Sequence, residues 1–185
     1  MKAMGIIGSP RMDGNTVYLL KRTMEILKES DIETETVFLR GIDLKPCDGC
    51  GYCKKNGRCK IEDGMQDLYE KIEECDVLIL SSPSYMGGVT SRTKAFMERT
   101  WFLRRGPLGK MIGTSIVVGR REIGSCVNEF EEYFNRMEFI KIPGVIGFGL
   151  EKGDVREDAE ALKGTERVAS TILKLLPAGA GSPTL

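Results

Sequence analysis

The chain of 185 residues contains no histidine. That absence removes imidazole from every role it usually fills: general acid or base, partner of a nucleophilic serine, ligand of zinc or iron. Net charge is missing too, with 27 Lys+Arg set against 27 Asp+Glu. Nothing supports a broad electrostatic grip on nucleic acid, and no nucleic-acid partner is expected. No apolar run reaches the length of a membrane span, and the opening MKAMGIIGSP lacks the basic-then-apolar layout of a signal peptide. A cytoplasmic protein without membrane contact is therefore the expectation. Structural disulfides are rare in that compartment, yet the chain has six cysteines. Metal ligation or redox chemistry is the more economical reading of them.

Hydrophobic periodicity divides the chain into alternating strands and helices. Strands are expected at 2–8, 34–39, 76–81, 111–118 and 139–149, the last broken by Pro143. Helices are expected at 15–29, 63–74, 91–103, 125–137 and 154–176. Five strand–helix units in strict alternation point to an α/β fold, a doubly wound five-stranded parallel sheet of flavodoxin-like order 2-1-3-4-5. Residues 1–176 form one domain in this reading, with a cysteine-rich insertion at 46–62 after strand 2 and a flexible tail at 177–185. Ligands of such sheets bind at the carboxyl ends of the strands, so the loops after strands 1, 3 and 4 are the candidates.

The first of these, GSPRMDGNT at 8–16, offers backbone N–H groups, the Ser9 and Thr16 hydroxyls, the Asn15 amide and the Arg11 guanidinium at the start of a helix. These suit a phosphate, although a simple helix-capping turn with Asn15 as cap would also account for them. The loop has neither G-x-G-x-x-G nor G-x-x-x-x-G-K-[ST], the signatures of dinucleotide folds and nucleotide triphosphatases. The second, SPSYMGG, combines Pro83 and Gly87–Gly88 with Tyr85 and Met86. A planar aromatic ligand could lie against it, or Tyr85 could be a packing residue.

GSPRMDGNT, PSYMGG and TKAFMERT, taken in order, resemble the NADPH-dependent FMN reductase branch of the flavodoxin-like proteins. With the compact cysteine run between them, the chain resembles the iron–sulfur flavoproteins of anaerobic archaea and bacteria. The resemblance implies FMN. It assigns the phosphate to Ser9, Arg11, Gly14, Asn15 and Thr16, and the isoalloxazine to Pro83, Ser84, Tyr85, Met86, Gly87 and Gly88. The loop after strand 4, GRREIGSC, departs from the glycine-rich run usual in relatives; Gly119 and Arg120 are its candidates for the flavin.

Cysteines 47, 50, 53 and 59 are spaced C-x2-C-x2-C-x5-C. Successive x2 strides suit one cubane cluster better than the two separated knuckles of structural zinc, though zinc or an empty or oxidised site also fits four thiols. The resemblance assigns a [4Fe-4S] cluster to Cys47, Cys50, Cys53 and Cys59. Cys75 and Cys126 read as buried packing thiols. The run follows strand 2, which lies beyond strand 1 from strands 3 and 4. Within one chain the cluster is therefore expected nearer the phosphate than the ring. A homodimer or homotetramer is expected to bridge that gap, covering Trp101 and Phe102 if they face outward.

The reading is an FMN-dependent oxidoreductase passing electrons between a ferredoxin-like one-electron carrier, or NAD(P)H, and an acceptor. One alternative is an NAD(P)H-dependent FMN or quinone reductase with a vestigial or zinc-filled cysteine site; another is a zinc-stabilised binding module.

Overall fold

The computed structural model describes residues 1–105 and 107–176, so the expected tail at 177–185 lies outside the described residues. Strands β1 (Lys2–Ile7), β2 (Glu33–Phe38), β3 (Val77–Pro83), β4 (Ile112–Gly119), β5 (Ile140–Lys141) and β6 (Val145–Phe148) form one parallel sheet. Its order is β2-β1-β3-β4, with β5 and β6 both pairing with β4. Pro143 separates these last two segments, as expected, because proline cannot donate to the ladder. The doubly wound order 2-1-3-4-5 is thus present.

The period of two along the central strands sends alternate residues to opposite faces. Met4, Ile6, Leu78, Leu80 and Val117 join the core beneath α3 (Met65–Glu73), α4 (Ser91–Arg99) and α5 (Gly124–Arg136). Ala3, Ile7, Val77, Ile79, Ile116 and Val118 join the core beneath α1 (Asn15–Glu29) and α6 (Ala159–Leu175). Val17, Leu20, Met24 and Leu27 give α1 one apolar stripe, and Phe130 and Phe134 anchor α5. Each fully buried Leu, Ile or Phe stabilises the fold by about 1.5–3 kcal/mol.

Three differences from the expected elements have local causes. The helix expected at 91–103 ends at Arg99 and continues as a 3-10 turn over Trp101–Arg105. The last helix is delayed until Asp158, whose carboxylate caps it by accepting from the Ala161 N–H, and a 3-10 turn over Asp154–Arg156 precedes it. The cysteine stretch contains its own short helix, α2 (Tyr52–Asn56), framed by Gly51 and Gly57, both left-handed with φ of 69° and 65°. Among the described residues no helix is long and apolar enough to cross a membrane.

Candidate functional site

The loops after β1 and β3 are tied together below the surface. The Gly8 N–H donates to the Ser81 carbonyl at 2.8 Å, and the Gly8 carbonyl accepts from the Thr90 hydroxyl at 2.8 Å. A β-carbon at Gly8 would stand 1.8 Å from Thr93 Oγ1, so only glycine allows this approach. Thr90 also caps α4 by accepting from the Thr93 N–H at 3.3 Å.

In the first loop, buried Ser9 accepts from the Arg11 N–H at 3.2 Å, while the Arg11 side chain is exposed. Gly14 is the N-cap of α1, and no side chain caps that terminus. Its first-turn N–H groups and the helix dipole are thus available to an anion. Thr16 is buried. Asn15, expected among phosphate ligands or as the cap, does neither with its side chain: it donates to the Glu151 carbonyl and accepts from the Gly153 N–H, both at 2.8 Å. It ties down the loop after β6 and presents only its backbone to the helix start. Lys152 in that loop pairs with Asp13. This hydrogen bond holds the exposed Asp13 carboxyl below its ordinary pKa.

Pro83 ends β3, and Ser84 donates its N–H to the Val118 carbonyl at 2.8 Å. Tyr85 and Gly88 then close a tight hairpin through reciprocal N–H···O bonds of 2.9 and 3.0 Å. Met86 and Gly87 occupy its tip with φ of 51° and 82°. The Tyr85 ring and the whole Met86 side chain face outward. Gly119 ends β4 half-buried, and Arg120 beside it is exposed. Eleven of the thirteen proposed flavin contacts therefore belong to the two loops joined through Gly8 and Thr90, and the other two, Gly119 and Arg120, to the adjoining β4 end, all at the carboxyl edge of the sheet.

The cysteine loop lies elsewhere than expected. Its stems are closed by the Gly64 N–H donating to the Asp43 carbonyl at 2.9 Å and the Lys45 N–H donating to Asp63 at 3.0 Å. Two arginines seven residues apart on α4 string it along that helix. Arg92 donates to the Leu39 and Ile42 carbonyls, and Arg99 donates to the Lys45 and Ile61 carbonyls. The loop consequently runs down α4 rather than staying beside the phosphate loop, which corrects the expectation from strand order.

Cys47, Cys50, Cys53 and Cys59 all border one cavity of about 540 Å3, opposite Met97, Trp101, Phe102 and Tyr133 of α4, its 3-10 extension and α5. Trp101 and Phe102 are half-buried there. Phe102 packs edge-on against Tyr69 with centroids 4.8 Å apart, and Arg104 lies 3.9 Å from the Trp101 ring centroid. The cavity also reaches Lys94 and Glu129, and Glu129 abuts Gly88 of the hairpin. Within one chain it thus approaches the expected ring loop, not the phosphate loop.

All six cysteines are free thiols. Cys75 and Cys126 are buried, as expected, and burial pushes their pKa values up to about 11 and about 12. Four thiols on one cavity match a four-thiolate centre in donor type and number. Among the described residues, no three Cys, Asp, Glu or His side chains are already gathered as a metal-ligand set. Sequence reasoning missed Arg99, Asp63 and Thr90. A helical Arg or loop Asp ordinarily reads as solvated, and only the seven-residue spacing of Arg92 and Arg99 hinted at a shared face.

Residues 1–151 match the sequence model of the family described as NADPH-dependent FMN reductase. An iron-sulfur flavoprotein of Methanocaldococcus jannaschii is 32% identical over 95% of this chain and 97% of its own. One from Archaeoglobus fulgidus is 35% identical over 93% of this chain and 79% of its own. Among solved structures, a flavodoxin from the domain Archaea superposes with a TM-score of 0.60 at 14% identity, covering 94% of this chain and 99% of that one; this likeness concerns fold.

Proposed function

The chain belongs to the NADPH-dependent FMN reductase family, among its iron–sulfur flavoproteins, and is an FMN-dependent oxidoreductase; we propose that it carries a [4Fe-4S] cluster on Cys47, Cys50, Cys53 and Cys59 and passes electrons between that cluster and FMN. The observation that carries this reading is the common cavity: the four free thiols border a space that extends to Glu129 beside Gly88. Cluster and flavin would then share one walled route within a chain.

FMN exchanges one or two electrons and the cluster one, so the pair can connect a ferredoxin-like donor, or NAD(P)H, to a two-electron acceptor. The chain's own residues bind, orient and exclude water. The uncapped start of α1, with Gly14, Asn15 and Thr16 contributing backbone N–H groups and Ser9 and Arg11 their side chains, receives the FMN phosphate. Peptide groups of residues 83–88 border the isoalloxazine, with Tyr85 and Met86 as its apolar walls. Gly119 and Arg120 close the third side, where a guanidinium favours an anionic reduced ring. The chain has no histidine, and none of these roles requires one. Tyr85, Met86, Phe148 and Leu150 are exposed at the carboxyl edge, and a second copy in a homodimer or homotetramer would cover them.

The family match favours one other reading: an NAD(P)H-dependent FMN or quinone reductase whose cysteine site is vestigial or zinc-filled. Rapid mixing separates the two. If the cluster is the port of entry, a one-electron ferredoxin-type donor reduces the flavin of the wild type quickly and that of Cys53→Ala slowly. Equal rates in the two proteins, with fast reduction by NAD(P)H, would support the reductase instead.

A further inference from the structure

The Arg99 side chain is wholly buried, as is that of Asp63. A guanidinium has five N–H groups, and four of these are used. Nη1 donates to Asp63 Oδ2 at 2.6 Å and to the Lys45 carbonyl at 2.8 Å; Nη2 donates to Asp63 Oδ1 at 3.0 Å and to the Ile61 carbonyl at 3.2 Å. Lys45 precedes the first cysteine and Ile61 follows the last, so one side chain holds both stems of the loop. Nε is buried without an acceptor among the described residues. Orphaned buried donors are uncommon in folded proteins and point to a missing partner.

The missing partner has a place. Arg99 and Cys59 border the same cavity. Of the four loop cysteines, Cys59 is the one that packs against the core containing Tyr69. The Tyr69 hydroxyl donates its one proton to the Arg99 carbonyl at 3.2 Å. A buried cationic donor without an acceptor and a buried hydroxyl therefore adjoin the core against which Cys59 packs.

We infer that Arg99 is a positioning residue for the cysteine centre: it pins both stems of the loop and, through its unpaired Nε and with the Tyr69 hydroxyl turning its one proton from the Arg99 carbonyl, provides hydrogen bonds that stabilise the Cys59 sulfur as a ligand. The inference rests on the cluster reading above. It goes further by distinguishing Cys59, which packs against that core, from the exposed Cys47 and Cys50. Hydrogen bonds to cluster sulfurs raise the reduction potential, and partners of metal ligands govern metal retention.

The test uses the full chain, reconstituted anaerobically with iron and sulfide, as wild type, Arg99→Lys and Tyr69→Phe. Iron lost to a chelator, the midpoint potential of the cluster and FMN content are measured. Lysine cannot span two stems bidentately, so Arg99→Lys is expected to release iron about 10–100-fold more readily while keeping FMN. Tyr69→Phe is expected to keep its iron and shift the potential downward. Wild-type retention of iron in an Arg99→Lys protein that still holds FMN would overturn the inference and leave the cluster reading standing. Should Arg99→Lys lose FMN through misfolding, Tyr69→Phe decides, and an unshifted potential overturns it. A wild type that takes up no iron contradicts both readings.

Discussion

The Thr90 hydroxyl donates to the Gly8 carbonyl at 2.8 Å, joining positions 82 apart in sequence. This bond fixes the loop after β1 against the loop after β3, and the same hydroxyl caps α4. Thr90→Val keeps the shape and removes both functions. A lost N-cap and an unsatisfied buried carbonyl should together destabilise the fold by about 1–3 kcal/mol. Chemical denaturation with and without FMN checks this. The expected loss appears in both series, with FMN affinity falling as well because the two loops no longer hold their register.

Arg11 is exposed beside the uncapped start of α1. Arg11→Ala is expected to weaken FMN binding by about 1.5–3 kcal/mol, the scale of a hydrogen bond to a charged group, while riboflavin, which lacks the phosphate, binds both proteins equally. Titration calorimetry with the two ligands makes the comparison. An equal loss for both would move Arg11 away from the phosphate.

The alternation of apolar residues made the sheet order and the two cores legible, because period-two strands such as β3 must have a helical layer on each face. The tight turn after β3 was legible through residue types that permit it, notably Gly87–Gly88 and Pro83. The course of the cysteine loop was not. It depends on Arg92 and Arg99 donating to carbonyls of a distant segment, and backbone carbonyls carry no residue signature. The partners of the Asn15 side chain were illegible for a similar reason. Its amide suits a helix cap or a phosphate, but Glu151 and Gly153 of the loop after β6 engage it instead.

The Asp63 carboxyl is held below its ordinary 3.8: burial opposes ionisation, but hydrogen bonds from Arg99, Lys45 and Met65 outweigh it. A depressed folded pKa contributes stability above the unfolded value, and that contribution is lost as pH falls through the folded one. Asp63→Asn should therefore melt lower than wild type at neutral pH, since removing one partner of a buried pair costs about 3–5 kcal/mol. The gap should narrow as pH drops below 3.8. Melting curves across that range test the direction, and a gap that stays constant would contradict it.

Burial lifts the Cys75 and Cys126 thiols to about 11 and about 12, whereas Cys47 and Cys50 are exposed and Cys53 and Cys59 half-exposed. Since the thiolate is the reactive form, mild alkylation of the native metal-free protein at neutral to weakly basic pH should modify the loop cysteines and spare Cys75 and Cys126. Unfolding should expose all six. Peptide mass spectrometry reads the pattern, and early labelling of Cys126 would contradict its place in the α5 core.

Iron and acid-labile sulfide, counted per chain after anaerobic purification of wild type and Cys53→Ala, bear most directly on the proposed cluster. The account predicts about four of each in the wild type, and a large loss of both in Cys53→Ala with FMN retained. One zinc per chain in place of iron, or equal iron in the two proteins, would contradict it.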